Sequence, residues 1–256
     1  DHRDLHSFPT RRSSDLAAIF LFIMADYVNA CSMIAFQNLL DDSLQAIVNK
    51  PVEALVVVAI LPAIIEEFLF RGMIYRGIAN KSNKKIVIII SALLFAFLHM
   101  NFNQMCYAFV MGLVFAIVIY LTDNLSVSIL LHMLFNAFTV IITCFEKSNA
   151  IQAILQCNIA GYTLFNPSLT DTQGKIEISL LIIGGLIAIL SAVIAGWLIL
   201  LIAKTEKTTE TTINNENILK DNDNIFKNNE NWKPDFRFFA GSGVCILIAI
   251  LYEILL

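Results

Sequence analysis

Apolar runs close to the roughly 20 residues needed to cross a bilayer dominate this chain. They restrict it to structures in which each spanning segment closes its own backbone hydrogen bonds. Seven runs fall at about 17–36, 51–78, 86–100, 103–122, 125–145, 178–203 and 237–256. The expected fold class is therefore all-α, a polytopic transmembrane helical bundle of about seven hydrophobic helices. Hydrophobic residues make up 57% of the 256 and charged residues 15%, with mean hydropathy +0.72, which removes a soluble globular domain from consideration. A net charge of −4 excludes a broad basic surface for nucleic acid. The five cysteines are odd in number and sit mostly inside apolar runs, so they read as small buried residues and not as a disulfide framework.

Residues 1–16, DHRDLHSFPTRRSSDL, resemble the conceptual translation of a sequencing adapter. They are set aside from fold reasoning, with the native start expected to be missing. The remaining order is a transmembrane helical domain at 17–203, a flexible polar cytoplasmic linker at 204–236 and a C-terminal transmembrane helix at 237–256. The linker is expected from its Thr, Asn and charged composition. Pro51 suits the first turn of the second segment, Pro62 should bend it, and Asp123-Asn124 should form a tight turn. The third segment is short for a span. Gly184, Ala188, Ala192 and Gly196 recur every four residues on the sixth, a face for close intramolecular packing. Arg76, Lys81, Lys84 and Lys85 place the loop between segments two and three in the cytoplasm, and alternation puts 204–236 on the same side.

Ionisable groups in the middle of a membrane are costly, roughly 2.5–3.5 kcal/mol each on the mild insertion scales. Three segments nevertheless carry them. Glu66 and Glu67 precede Arg71, and Glu67 and Arg71 stand i, i+4 on one helix face. Glu66 points about 100° away around the helix. His99 ends the third segment, and His132 and Asn136 stand i, i+4 on the fifth. Each set alone could be a packing or hydrogen-bond clip. Counted from the cytoplasmic helix ends, Glu66, His99, His132 and Asn136 lie roughly 10–21 Å deep at about 1.5 Å per residue, compatible with one half-buried site.

The motifs EEFLFR (66–71), FAFLH (95–99) and HMLFN (132–136) fit EExxxR, FxxxH and HxxxN in order on successive apolar helices. Through them the chain, over about 51–146, resembles the CPBP intramembrane proteases, the abortive-infection or type II CAAX prenyl endopeptidase family. That resemblance implies a membrane-embedded endopeptidase in which Glu66 and His99 hold and activate water. His132 and Asn136 would donate to the oxyanion, and Glu67 with Arg71 would support the site. The family carries a metalloprotease label, and Glu66, His99 and His132 would make a three-ligand zinc site. There is no HExxH, so no cofactor is favoured and zinc is the alternative. Implied partners are the lipid bilayer and a peptide or membrane-protein substrate, either CAAX-like or a bacteriocin precursor, in the plasma membrane of a bacterium. Competing classes are a non-proteolytic bacteriocin-immunity or membrane binding protein and, behind it, a transporter, which the lack of an internal repeat disfavours.

Overall fold

The turns between apolar runs decide where the helices begin. Asn83, Asn101 and Asn124 each adopt extended backbone and accept a hydrogen bond from the backbone N–H two residues on, at 3.0 Å. This satisfies one of the orphan donors at a helix start. In the computed structural model, which describes residues 7–36, 49–79, 83–170, 172 and 174–220, they open three core helices. Helix α1 is Ser7–Met33 and α2 is a continuous rod over 51–79. The Asn-capped helices are α3 (Lys84–Leu98), α4 (Phe102–Thr122) and α5 (Leu125–Cys144). A short α6 (Asn149–Leu155) and a hairpin of β1 (Asn158–Ile159) and β2 (Tyr162–Thr163) lead to α7 (Ile178–Lys220). Asp123 ends α4 in the left-handed conformation, φ 50°, so the Asp123-Asn124 turn has a C-terminal stop followed at once by the next N-cap.

Among the described residues, four helices are long and apolar enough to cross a membrane: Ser13–Met33, Phe102–Thr122, Leu125–Cys144 and Ile178–Glu206. The rod α2 is broken into shorter turns, and α3, with 15 residues, rises only about 22 Å. Lipid contact is written on α7, where Ile182, Leu186, Ile189, Val193, Trp197 and Leu200 form an exposed apolar stripe at helical spacing. The chain is thus an all-α polytopic membrane bundle. The expected helix at 237–256 lies outside the described residues. Residues 204–220, expected to open the linker, continue α7, and 221–236 lie outside the described residues. An established helix extends at little cost once nucleated, so polar residues can prolong it. Cys31, Cys106 and Cys144 are half-buried and Cys157 is exposed, all as free thiols, so they are less buried than expected.

Around Pro62 the rod departs from regular α-helical turns. Without an N–H, and with a ring that crowds the carbonyl four residues back, a proline cannot continue a regular turn. The rod widens to i→i+5 turns over Leu55–Ile60, tightens over Leu61–Glu67, and widens again over Phe68–Tyr75. Such wide turns are frequent at functional sites.

The core joins Leu21 and Phe22 of α1, Leu69 of α2, Phe95 of α3, Phe115 of α4 and Leu131 of α5 with Ile199 and Ile202 of α7. Arg76 pairs with Asp123 at 3.1 Å, and Asn124 donates to Glu206 at 3.1 Å. The ends of α2 and α4, the start of α5 and the end of the apolar stretch of α7 therefore share one side, as alternation requires. At the opposite side Ala160 and Gly161, both with positive φ, make the tight turn of the hairpin. The hairpin inserts Tyr162 beside Tyr27, and both rings fill the space where a Gly184 side chain would stand, 2.5 and 2.8 Å from its Cβ position. The small-residue face is thus intramolecular at Gly184 and Ala188, while Gly196 meets nothing within 4 Å. A strict four-residue spacing drifts about 40° per step on a helix of 3.6 residues per turn. Twelve residues on, Gly196 has rotated off the face, and Ser191 and Ala195 are buried in its place.

At Gly112 the backbones of α3 and α4 come close together. A Cβ there would lie 3.0 Å from Ala92 Cα and 3.2 Å from Ala92 O, both helix backbone that cannot yield locally. Gly112→Ala is expected to destabilise the bundle by about 1–3 kcal/mol, read as a lower Tm in detergent micelles. An unchanged Tm would mean that the helices separate freely here.

Candidate active site

The site begins with a charge pair that local geometry dictates. Glu67 and Arg71 are one turn apart on α2, and Arg71 Nη1 donates to Glu67 Oε1 at 2.8 Å, with both side chains 0% exposed. Arg71 Nη2 donates to Gly112 O at 3.0 Å, so the close approach that glycine allows also supplies an acceptor. The guanidinium lies 4.4 Å from the Phe95 ring centroid and 5.4 Å from that of Phe115. A buried ion pair must recover its desolvation through such contacts.

Helix α5 supplies the opposite wall. Ser128, His132 and Asn136, spaced i, i+4, i+8, lie along one face. Ser128 Oγ donates to Glu67 Oε2 at 2.7 Å, and His132 Nδ1 lies 3.0 Å from Glu67 Oε1. An ionised carboxylate only accepts, so Nδ1 carries the proton and Nε2 is the atom left facing the site. Nε2 stands 3.9 Å from Glu66 Oε2, and Phe115 stacks on the ring at 4.8 Å. Both glutamates therefore address the same imidazole, one at each nitrogen. The 100° divergence between them does not separate their targets, because the ring's two nitrogens bridge it.

Asn136 takes a different partner. Its Nδ2 donates to Val58 O at 3.2 Å. Val58 is four residues before Pro62, whose missing N–H leaves that carbonyl without its α-helical donor. Asn136 thus ties α5 to the turn of α2 just before Pro62, and its recorded bond is not to the carboxylates. Its amide carries two N–H donors, so this bond uses one of them.

His99 is half-buried at the C-cap of α3, before Met100 in the left-handed region (φ 48°). Its Nδ1 is 3.1 Å from Phe95 O. A carbonyl only accepts, so Nδ1 is the donor and the neutral ring keeps its lone pair on Nε2. The rings of His99 and His132 both pack edgewise against Phe95, with centroids 5.3 and 5.7 Å away. The α3–α4 turn is held in turn by α1, since Asn103 Nδ2 donates to Ser32 Oγ at 2.6 Å. Glu66, Glu67, Arg71 and His132 are thus brought into one contact set, His99 joins through Phe95, and Asn136 sits one turn along α5. Ser128 and Gly112 were missed by motif reading. The signal for Ser128 was present, a hydroxyl one turn before His132 on the same face.

Among the described residues no three His, Cys, Asp or Glu side chains are grouped to hold a metal ion. Glu67 Oε1 is bonded to Arg71 and His132 and its Oε2 to Ser128.

A helical membrane bundle with buried carboxylates closed on histidine and arginine defines the class, and comparison with known proteins agrees. Residues 49–138 match the family model described as type II CAAX prenyl endopeptidase Rce1-like, and they contain every site residue named above. Over 116 residues the chain is 34% identical to the membrane-embedded CAAX protease MroQ of Staphylococcus aureus (strain USA300). That alignment covers 43% of this chain and 47% of the relative, so the chain spans about half the length of the curated protein it matches. No solved structure matches it. Residues 49–138 are thus similar to the Rce1-like, CPBP family, and the rest of the chain adds nothing to that likeness.

Proposed function

We propose that this protein is an intramembrane endopeptidase that hydrolyses a peptide bond with activated water. The observation that carries the reading is the bracketing of the buried His132 ring by Glu66 and Glu67, costly groups gathered at one place inside the bundle. In this reading Glu66 and His99 hold the water, and His99 Nε2 or the Glu66 carboxylate takes its proton as it attacks the scissile carbonyl. The second N–H of Asn136 donates to the oxyanion, and His132 Nε2 joins it only in the doubly protonated ring, beyond the Nδ1–H form that Glu67 sets, at roughly 2.7–4 kcal/mol for one donor in other hydrolases. Glu67 and Arg71 orient the His132 ring. The attack forms a C–O bond, and the amine leaves with a proton returned by the same base.

The substrate class is a peptide or membrane-protein precursor, with CAAX-like and bacteriocin precursors as candidates, in the plasma membrane of a bacterium. The relative's name supports the CAAX-like candidate, and its organism supports a bacterial membrane. The complete set of partners around Glu67 also favours a second reading, a non-proteolytic immunity or binding protein whose polar cluster only fixes the bundle. Comparing proteomes of cells carrying the natural chain or Glu66→Ala separates the two. The peptidase reading expects a precursor to accumulate and its mature form to vanish. Unchanged maturation with the variant inserted in the membrane would end it.

A further inference from the structure

We infer that Ser128 is a positioning residue: its buried hydroxyl locks the Glu67 carboxylate that sets the His132 ring. Ser128 stands outside the three motifs, is 0% exposed, and faces Glu67 across the α2–α5 interface. Hydroxyls in these helices usually turn back on their own backbone. Thr122, Thr143, Thr205 and Thr208 each donate to the carbonyl four residues earlier. Ser128 instead donates across to Glu67 Oε2 at 2.7 Å.

The geometry shows why that bond matters. Arg71 and His132 both approach Oε1, at 2.8 and 3.0 Å. The terminal torsion of a glutamate is broad and roughly two-fold, so two donors on one oxygen leave the carboxylate plane free to turn. A donor on Oε2 removes that freedom. With the plane fixed, Oε1 stays in line with His132 Nδ1, the ring keeps the Nδ1–H form, and Nε2 faces Glu66. The chain of control runs Ser128 to Glu67 to His132, and only His132 reaches the reacting atoms. A serine serving merely as an interhelical clip would contribute to stability and leave the ring unaffected.

The activity part of this inference rests on the peptidase reading; the ring geometry does not. Two measurements therefore run together on Ser128→Ala and Ser128→Thr in the full chain. The first is the ¹⁵N spectrum of histidine-labelled protein in nanodiscs, with His132 assigned by comparison with His132→Ala. The natural chain should show a single Nδ1–H ring, Ser128→Ala a mixture or an exchange-broadened signal, and Ser128→Thr the natural pattern. The second is pulse–chase of the precursor that Glu66→Ala accumulates. Ser128→Ala should slow its processing about 10–100-fold, Ser128→Thr should restore it, and Ser128→Ala should add nothing in a Glu67→Gln background. An unchanged His132 signal in a folded Ser128→Ala protein overturns the inference, as does equal slowing in the Glu67→Gln background. If Glu66→Ala accumulates no precursor, the peptidase reading fails, and the His132 spectrum alone decides the role of Ser128.

Discussion

Arg71→Met should be among the most destabilising single changes in this chain, costing about 3–5 kcal/mol. Arg71 is fully buried and has three roles at once. It neutralises Glu67, donates to Gly112 O, and lies over Phe95. Methionine fills much of the volume but leaves a carboxylate inside the bundle with only Ser128 and His132 as partners. Arg71→Lys should recover part of the loss, because a compact ammonium can meet Glu67 but cannot reproduce the planar fork that also reaches Gly112. Removing both charges in Glu67→Gln/Arg71→Met should cost less than Arg71→Met alone, since the penalty comes mainly from the orphaned charge. Thermal unfolding in micelles measures all three. A Tm for Arg71→Met equal to that of the natural chain would show that water, and not Arg71, solvates Glu67.

His99→Ala should have the opposite profile, a loss of about 10²- to 10⁴-fold in precursor processing with little change in Tm. The ring is half-buried, and its recorded hydrogen bond is local, to Phe95 O in the preceding turn. Its removal therefore opens no large cavity and orphans no charge. What it removes is an imidazole whose Nδ1 is engaged by the backbone and whose Nε2 is left to take a proton. His99→Gln retains a polar group without a basic nitrogen and should be nearly as slow. Natural processing rates in His99→Ala would take His99 out of the mechanism and leave Glu66 as the sole base. The two variants thus divide the cluster into a part that holds the fold and a part that performs the chemistry.

Much of this division was legible before any tertiary contact was known, and the reason differs from residue to residue. Glu67 and Arg71 could be paired from spacing because i, i+4 neighbours on a helix meet whatever surrounds them. The helix starts expected near 86, 103 and 125 from the apolar runs fall at 84, 102 and 125, and the turn at Asp123-Asn124 forms where turn-favouring residues placed it. The membrane class rests on segment length and composition alone. Where local rules were extended over distance they drifted. The stripe from Gly184 to Gly196 leaves the packing face because four is not 3.6, and α7 outlasts its apolar stretch because helices propagate cheaply.

The polar cluster inside the membrane was therefore a property of the sequence: its members, their order and the Glu67–Arg71 pair all come from local spacing. Which atoms meet across helices was decided only by the packed bundle. Glu66 and Glu67 share one imidazole, Ser128 closes the second oxygen of Glu67, and Asn136 answers the carbonyl that Pro62 leaves open. Those contacts depend on how the turns of α2 change around its proline and how near α4 can approach at Gly112. Interhelical distance is set by many side chains at once, so no single spacing along the chain encodes it.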